Sequence, residues 1–331
     1  MSTTLHWGII GPGRIAHKFA DALAYCDHNQ LVAVASRSQQ NADAFASRWQ
    51  LAHAYDDEAA LLANPQVQAV YIATPHNYHY PAAMRALKAG KHVLIEKPAC
   101  VNAAQFARLC ELAEQHDCML MEAVWSRFLP YVAQAKQWLA DKRIGEVQSI
   151  QSSIGIAFEH GPEHRINNKA LAGGAMLDLG VYALSLSQFM LGQSHTAIQA
   201  LGKLSADGVD ESVMATVQYS GGQLAQFATS IVSQQQNALH VYGSEGTITL
   251  EPRFWSGSQV SLQRGDDIQT LTLPWAHNGF EYQIEDMARC ILVGKRQSDV
   301  VPHRDTLAVL TQMDEVRRQI GLYYGDEFEK V

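Results

Sequence analysis

Two short stretches carry side chains suited to proton chemistry. His92-Val93-Leu94-Ile95-Glu96-Lys97-Pro98 reads as a buried strand that ends in a carboxylate, an amine and a proline unable to continue a ladder. Further on, Asp178 and Tyr182 stand four residues apart on one predicted helix face, among neighbours that are nearly all apolar. A buried, unpaired carboxylate costs roughly several kcal/mol, so Asp178 needs a cation. Lys97, at the carboxyl end of a strand where open parallel sheets bind ligands, would supply it and bring Tyr182 to the same ligand oxygen. The plainer readings are a solvated ion pair at Glu96-Lys97, and a satisfied structural Asp beside a core Tyr. What surrounds the two stretches decides between them.

The chain begins with a compact apolar strand, Leu5–Ile10, followed directly by Gly11-Pro12-Gly13-Arg14-Ile15-Ala16 and then by apolar residues at helical spacing. Strand, glycine turn and helix form the context in which G-x-G-x-x-A reads as a dinucleotide fingerprint. Gly11 allows the turn, Gly13 lets the backbone approach a pyrophosphate, and Ala16 lets helix and strand pack closely. The amides that open the helix at Arg14 and Ile15 would hold the phosphates. The second strand, Leu31–Ala35, ends in Ser36-Arg37-Ser38 with no carboxylate. A guanidinium between two hydroxyls suits a ribose 2′-phosphate, so the expected cofactor is NADP rather than NAD. After the fourth strand, Ala69–Ala73, the polar run Thr74-Pro75-His76-Asn77-Tyr78-His79 falls where ribose and nicotinamide would lie. Strands and helices alternate through a sixth strand at Cys118–Met121, which predicts a doubly wound Rossmann sheet.

Past that point the texture changes. A linking helix over Phe128–Ala140, a helix over Gly174–Leu191 and many consecutive strands predict an α+β domain with a mostly antiparallel, open-faced sheet. The division is 1–123 for the dinucleotide-binding domain and 124–331 for a domain that binds substrate. Trp125, Phe158, Trp255 and Phe280 are candidate substrate walls, since aromatic faces suit a sugar's C–H surface or an aromatic diol. Each reads equally well as core. Arg165 and His277 are candidate polar contacts, Arg165 reading equally as a surface charge, and Arg127 is a candidate cofactor contact.

Lys and Arg total 25 against 33 Asp and Glu, for a net charge of −8 without a basic run, which argues against a nucleic-acid partner. Apolar runs are strand-sized and no signal segment is visible, so no membrane role is expected. Five scattered cysteines read as reduced thiols in a cytoplasm. The spacings His76/His79 and His160/His164 lack the Cys or carboxylate partners of a ligand set, and no metal is expected.

The Gly11–Ala16 turn, Glu96-Lys97-Pro98, Gly173-Gly174 and Asp178-x-x-x-Tyr182 together resemble the glucose-fructose oxidoreductase/inositol dehydrogenase (Gfo/Idh/MocA) family over essentially the whole chain. In much of that family His stands at the position of Tyr182. Tyr there, with Met121–Phe128, is most similar to the branch of dimeric dihydrodiol dehydrogenases and NADP-dependent D-xylose dehydrogenases. The resemblance implies catalytic roles for Lys97 and Tyr182 and a homodimer through the second domain's sheet.

Hydride transfer from an alcohol carbon requires loss of the hydroxyl proton. A phenol with a pKa of about 10 is a poor base, and a nearby ammonium is expected to lower it. Tyr182 is therefore assigned as acid/base, with Lys97 polarising the substrate oxygen and Asp178 orienting Lys97. Lys97 as the base itself stays open. The reading is an NADP-dependent oxidoreductase of a small sugar, polyol or vicinal diol/dicarbonyl. A nucleotide-sensing regulator and a nicotinamide-dependent glycosidase are the alternatives. The presence of Lys97, Asp178 and Tyr182 speaks against the first, and Ser36-Arg37 against the second.

Overall fold

The computed structural model describes residues 4–159, 161 and 163–331, so His160 lies outside the described residues. Six strands form the first sheet: β1 (Leu5–Ile10), β2 (Asn29–Ala35), β3 (His53–Tyr55), β4 (Ala69–Ile72), β5 (His92–Glu96) and β6 (Leu120–Ala123). They are nearly continuous apolar runs because helices cover both faces. The helices are α1 (Arg14–Tyr25), α2 (Gln39–Trp49), α3 (Glu58–Ala63), α4 (His76–Lys88) and α5 (Ala103–Gln115). Strand order is β3-β2-β1-β4-β5-β6 and every neighbouring pair is parallel. The winding reverses between β1 and β4, which opens a crevice at their carboxyl ends.

One helix differs from its sequence reading. The sequence places this helix at Tyr80–Ala89, which would leave Pro81 in a first turn, where proline is tolerated. Instead α4 begins at His76. Tertiary bonds hold that extra turn: the His76 ring meets the Ala172 carbonyl at 2.8 Å, and Asn77 Nδ2 donates to the Ala170 carbonyl at 2.8 Å.

The chain leaves the first sheet at Ala123. A 3-10 turn (Trp125–Phe128) and α6 (Pro130–Ala140) lead to β7 (Val147–Gly155). Then come a π-helical turn (Met176–Gly180) and α7 (Val181–Leu191), followed by β8 (His195–Leu204), β9 (Asp210–Tyr219), β10 (Leu224–Ser230), β11 (Leu239–Gly243), β12 (Thr247–Leu250), β13 (Gln259–Arg264) and β14 (Asp267–Thr272). Their order is β14-β13-β12-β11-β7-β10-β9-β8, antiparallel except for the parallel pair β7–β10. The segment α7 is apolar all round because it is buried all round.

The last helices do not stay with the second sheet. The helix α8 (Glu281–Leu292) lies on α1, and α9 (His303–Ile320) spans α5 and β8. The segment between them finishes the first sheet's edge. Leu120 N–H donates to the Arg296 carbonyl at 3.1 Å, and the His303 ring meets the Leu120 carbonyl at 2.9 Å.

Arg127 belongs to this architecture and not to a cofactor site, contrary to the sequence expectation. It is buried, with Nη1 on Asp305 at 2.8 Å, Nε on Ser185 Oγ at 2.9 Å and Nη2 on the Ser185 carbonyl at 2.8 Å. A guanidinium so far from water is tolerated only with its donors spent in this way. Arg127→Met should lower stability by about 3–5 kcal/mol through the stranded Asp305 carboxylate. Denaturant melts should register that loss, while cofactor affinity in the surviving native fraction stays unchanged.

Candidate active site

The first half builds a dinucleotide cradle at the turn after β1. Gly11 has φ +91, and a Cβ there would lie 3.0 Å from the Ala73 backbone, so the two loops meet as only glycine allows. The helix α1 starts after Gly13 with no side chain capping its first amides, leaving those of Arg14 and Ile15 for an anion. Beside them lies a cavity of about 500 Å³, lined among others by Gly11, Gly13, Ser36, Arg37, Thr74 and Pro75. Arg37 makes no ion pair among the described residues and lies over the Tyr78 ring at 5.2 Å. Arg85, on the same rim, is spent on Glu58. The Thr74 hydroxyl is buried with no hydrogen-bond partner. An unspent guanidinium, uncapped amides and an orphaned hydroxyl around one cavity fit a nucleotide carrying an extra phosphate.

The second half brings a charged cluster to the carboxyl end of β5. Lys97 Nζ donates to the Asp178 carbonyl at 2.8 Å and to Asp178 Oδ1 at 3.1 Å. The Asp178 carbonyl that accepts from Lys97 lies within the π-helical turn, a distortion common at functional sites. Gly180 within an otherwise helical run was the sequence signal for it. Arg165 completes the cluster, with Nη1 on Asp178 Oδ1 at 3.1 Å and Nη2 on Oδ2 at 3.4 Å. Lys97 Nζ lies 4.9 Å from the centroid of the Tyr182 ring. Amine, carboxylate and phenol therefore converge.

Burial would raise the Asp178 carboxyl, but Lys97 and Arg165 outweigh it and hold the group far below the usual carboxylate range. Burial likewise pulls the Lys97 ammonium down, and Asp178, Tyr182 and Glu96 together more than restore it, so Lys97 stays charged. That argues against Lys97 as the base. Tyr182 corrects an expectation. Burial raises its phenol by more than Lys97 lowers it, with Glu96 and Asp178 adding to the rise. It is a neutral hydroxyl ready to give a proton, not a phenolate.

His76 Nε2 lies 3.9 Å from Asp178 Oδ1. Burial pushes its ring down to about 3, so it is neutral and the contact is not an ion pair. With Nδ1 donating to Ala172, Nε2 presents a lone pair to the cluster. Several other expected ligand contacts are spent within the protein. His79 faces the carbonyls of Pro98 and Thr74, both at 2.8 Å, and ties the two loops together. Asn77 Nδ2 is committed to Ala170, while its Oδ1 is buried without a partner among the described residues. Glu96 accepts from the Tyr71 hydroxyl and is buried. Trp255 lies 6.2 Å from Tyr182, ring to ring, and Phe158 is half-buried against the core. Phe280 is 1 % exposed and is core rather than wall. Trp125 is only 6 % exposed, so little of it can meet a ligand. His277 pairs with Asp21 at 2.7 Å and stacks on Tyr25, bracing α1. Among the described residues no cluster of His, Cys, Asp and Glu is arranged to hold a metal.

Three residues were missed from sequence. Asp210 Oδ2 accepts from Met176 N–H at 2.6 Å, and the Tyr324 hydroxyl donates to the Gly173 carbonyl at 2.6 Å, so β9 and the C-terminal segment brace the turn carrying Asp178. A pair of carboxylates, Asp210-Glu211, opening an apolar strand was the signal for Asp210; Tyr324 gave none. Lys18, on α1, stands over the Trp125 ring at 3.8 Å.

Cradle and cluster on this fold define a dinucleotide-dependent oxidoreductase. Residues 5–124 match the "Oxidoreductase family, NAD-binding Rossmann fold" of the GFO/IDH/MocA group, and residues 132–249 match the GFO/IDH/MocA C-terminal domain. The chain belongs to that family. Its relatives include trans-1,2-dihydrobenzene-1,2-diol dehydrogenase of Danio rerio, 33% identical over 98% of this chain and 99% of that one. The enzyme of the same name from Bos taurus is 32% identical over 98% and 99%. A similar solved structure is a 3-ketoreductase from Actinomadura kijaniata in complex with NADP and TDP-benzene, with TM-score 0.88 and 28% identity over 96% of this chain and 98% of that one.

Because the folded Asp178 carboxyl lies far below its unfolded value of about 4, its charge stabilises the fold fully above that pH, and the contribution is lost progressively as pH falls from there towards the folded value. Urea midpoints measured from about pH 6 to pH 3 should fall more steeply for the wild type than for Asp178→Asn. Parallel slopes would mean that the charge is not held by Lys97 and Arg165.

Proposed function

We propose that this protein is an NADP-dependent dehydrogenase/reductase acting on a small sugar, polyol or vicinal diol/dicarbonyl. The observation that carries the reading is the meeting of Lys97, Asp178 and Tyr182 beside the dinucleotide crevice. Its relatives are named for a diol dehydrogenase and a ketoreductase, the latter solved with NADP. Arg37, without an ion pair among the described residues, supports NADP over NAD, its guanidinium suiting the 2′-phosphate. When bound, the nicotinamide exchanges a hydride with the substrate carbon. The chain's own residues manage the oxygen on that carbon. Two of the three N–H groups of Lys97 are taken by Asp178, leaving one to polarise a carbonyl oxygen. Tyr182, held neutral, gives its proton to that oxygen as negative charge develops, and takes it back in the oxidative direction. Asp178 fixes the amine and cannot itself accept the proton, being so strongly stabilised as the anion.

Residues 1–123 then serve as the nucleotide domain and 124–331 as the substrate domain. A homodimer through the open face of the second sheet is part of the proposal. Leu201 and Met214 form a cross-strand pair there, 83% and 66% exposed. Five unpaired thiols suit a cytoplasmic protein.

Tyr182→Phe should cut turnover by about a hundredfold or more through loss of the proton donor, with NADP affinity intact. Near-normal turnover would remove Tyr182 from the mechanism. Arg37→Ala should weaken NADP binding by about tenfold or more while leaving NAD binding nearly unchanged. Both are read by following nicotinamide absorbance across aldoses, polyols, dihydrodiols and dicarbonyls. Leu201→Glu with Met214→Glu should yield monomers in sedimentation.

A further inference from the structure

Trp125 sits where both halves of the molecule reach it. Its indole Nε1 donates to the Tyr182 hydroxyl oxygen at 3.2 Å. The other side of its ring carries the Lys18 ammonium, 3.8 Å from the centroid, with Phe280 and Trp275 rings at 5.1 and 5.9 Å. Lys18 Nζ is also 4.4 Å from the Phe280 ring and makes no ion pair among the described residues. Gly279 closes the cage, since a Cβ there would stand 2.7 Å from the indole edge. A ring fixed from so many directions cannot adapt to a ligand, and its one polar atom is spent on the phenol.

We infer that Trp125 is a positioning residue for proton transfer: its N–H fixes the Tyr182 oxygen, and Lys18 fixes the indole in turn. The inference rests on the reading of Tyr182 as the proton donor. A phenol oxygen that already accepts one hydrogen bond has its own O–H turned elsewhere, and Lys97 lies beside the ring. The same N–H stabilises the phenolate left once the proton has gone. Without it, that charge would rest on Lys97 and Arg165 alone, against Glu96 and Asp178 and the neutral hydroxyl of Tyr71. Lys18 gives the arrangement a second function. It belongs to α1, whose first amides form the phosphate cradle, so the helix that holds the nucleotide also holds the clamp on the acid.

The test compares kcat and kcat/KM across pH in the wild type, Trp125→Phe, Lys18→Met and Lys18→Arg, with Tyr182→Phe as reference. Trp125→Phe keeps an aromatic ring near Lys18 and deletes the donor together with the second ring of the indole, so the Lys18 pair separates loss of the donor from loss of packing. It should lower kcat about tenfold and move the basic limb of the profile up by about one pH unit, with KM for NADP unchanged. Lys18→Met should move the limb in the same direction by a smaller amount, and Lys18→Arg should restore it, since guanidinium also stacks on indole. An unchanged limb and kcat in Trp125→Phe would overturn the assignment, and an unchanged profile in Lys18→Met would overturn the clamp. Near-normal turnover in Tyr182→Phe would instead sink the acid role on which both depend. Should Trp125→Phe fail to fold, the Lys18 pair, at a half-buried site, decides.

Discussion

The structure turns on one buried charge. Asp178 lies in an apolar helix of the second half, where an anion is tolerable only if a cation comes to it, and the nearest strand end of the first half brings Lys97. That requirement fixes how the two halves meet. His76 and Asn77 on α4 reach across to Ala172 and Ala170 in the loop ahead of Asp178, so the contact that neutralises the charge is flanked by others that set its angle. The ligand crevice follows, since the amine can neither leave the carboxylate nor turn from the nucleotide edge.

Much of this was legible in the chain. The first sheet read correctly because its strands are uniform apolar runs punctuated by glycine and polar loops, a pattern set by burial on both faces. Lys97, Asp178 and Tyr182 were found because charge in an apolar setting demands explanation. What escaped was tertiary. Nothing near Arg127 in sequence announces Asp305 or Ser185, and a buried arginine looks like an exposed one until its partners are placed. His79 read as a ligand contact because polar residues at a strand end usually are; here main-chain carbonyls claim both of its ring nitrogens first. The start of α4 was misplaced because distant bonds supply what Pro81 takes away.

The electrostatics of the phenol were the other surprise. Proximity to an ammonium suggested an ionised tyrosine, yet burial and two nearby anions outweigh one cation. The distinction bears on the proton: a neutral hydroxyl is the form that can give one, and the phenolate left behind is the form that can take one back.

The return of the chain after α8 has a mechanical meaning. Two lobes joined by one crossing can swing about a single pivot. Here the polypeptide passes from the first lobe to the second at Ala123, and later comes back to donate and accept along β6 before departing again in α9. The return contact falls on the same strand as the outgoing crossing, and α8 adds a further hold on α1, so the lobes are tied by more than one length of chain rather than hung on a single free linker.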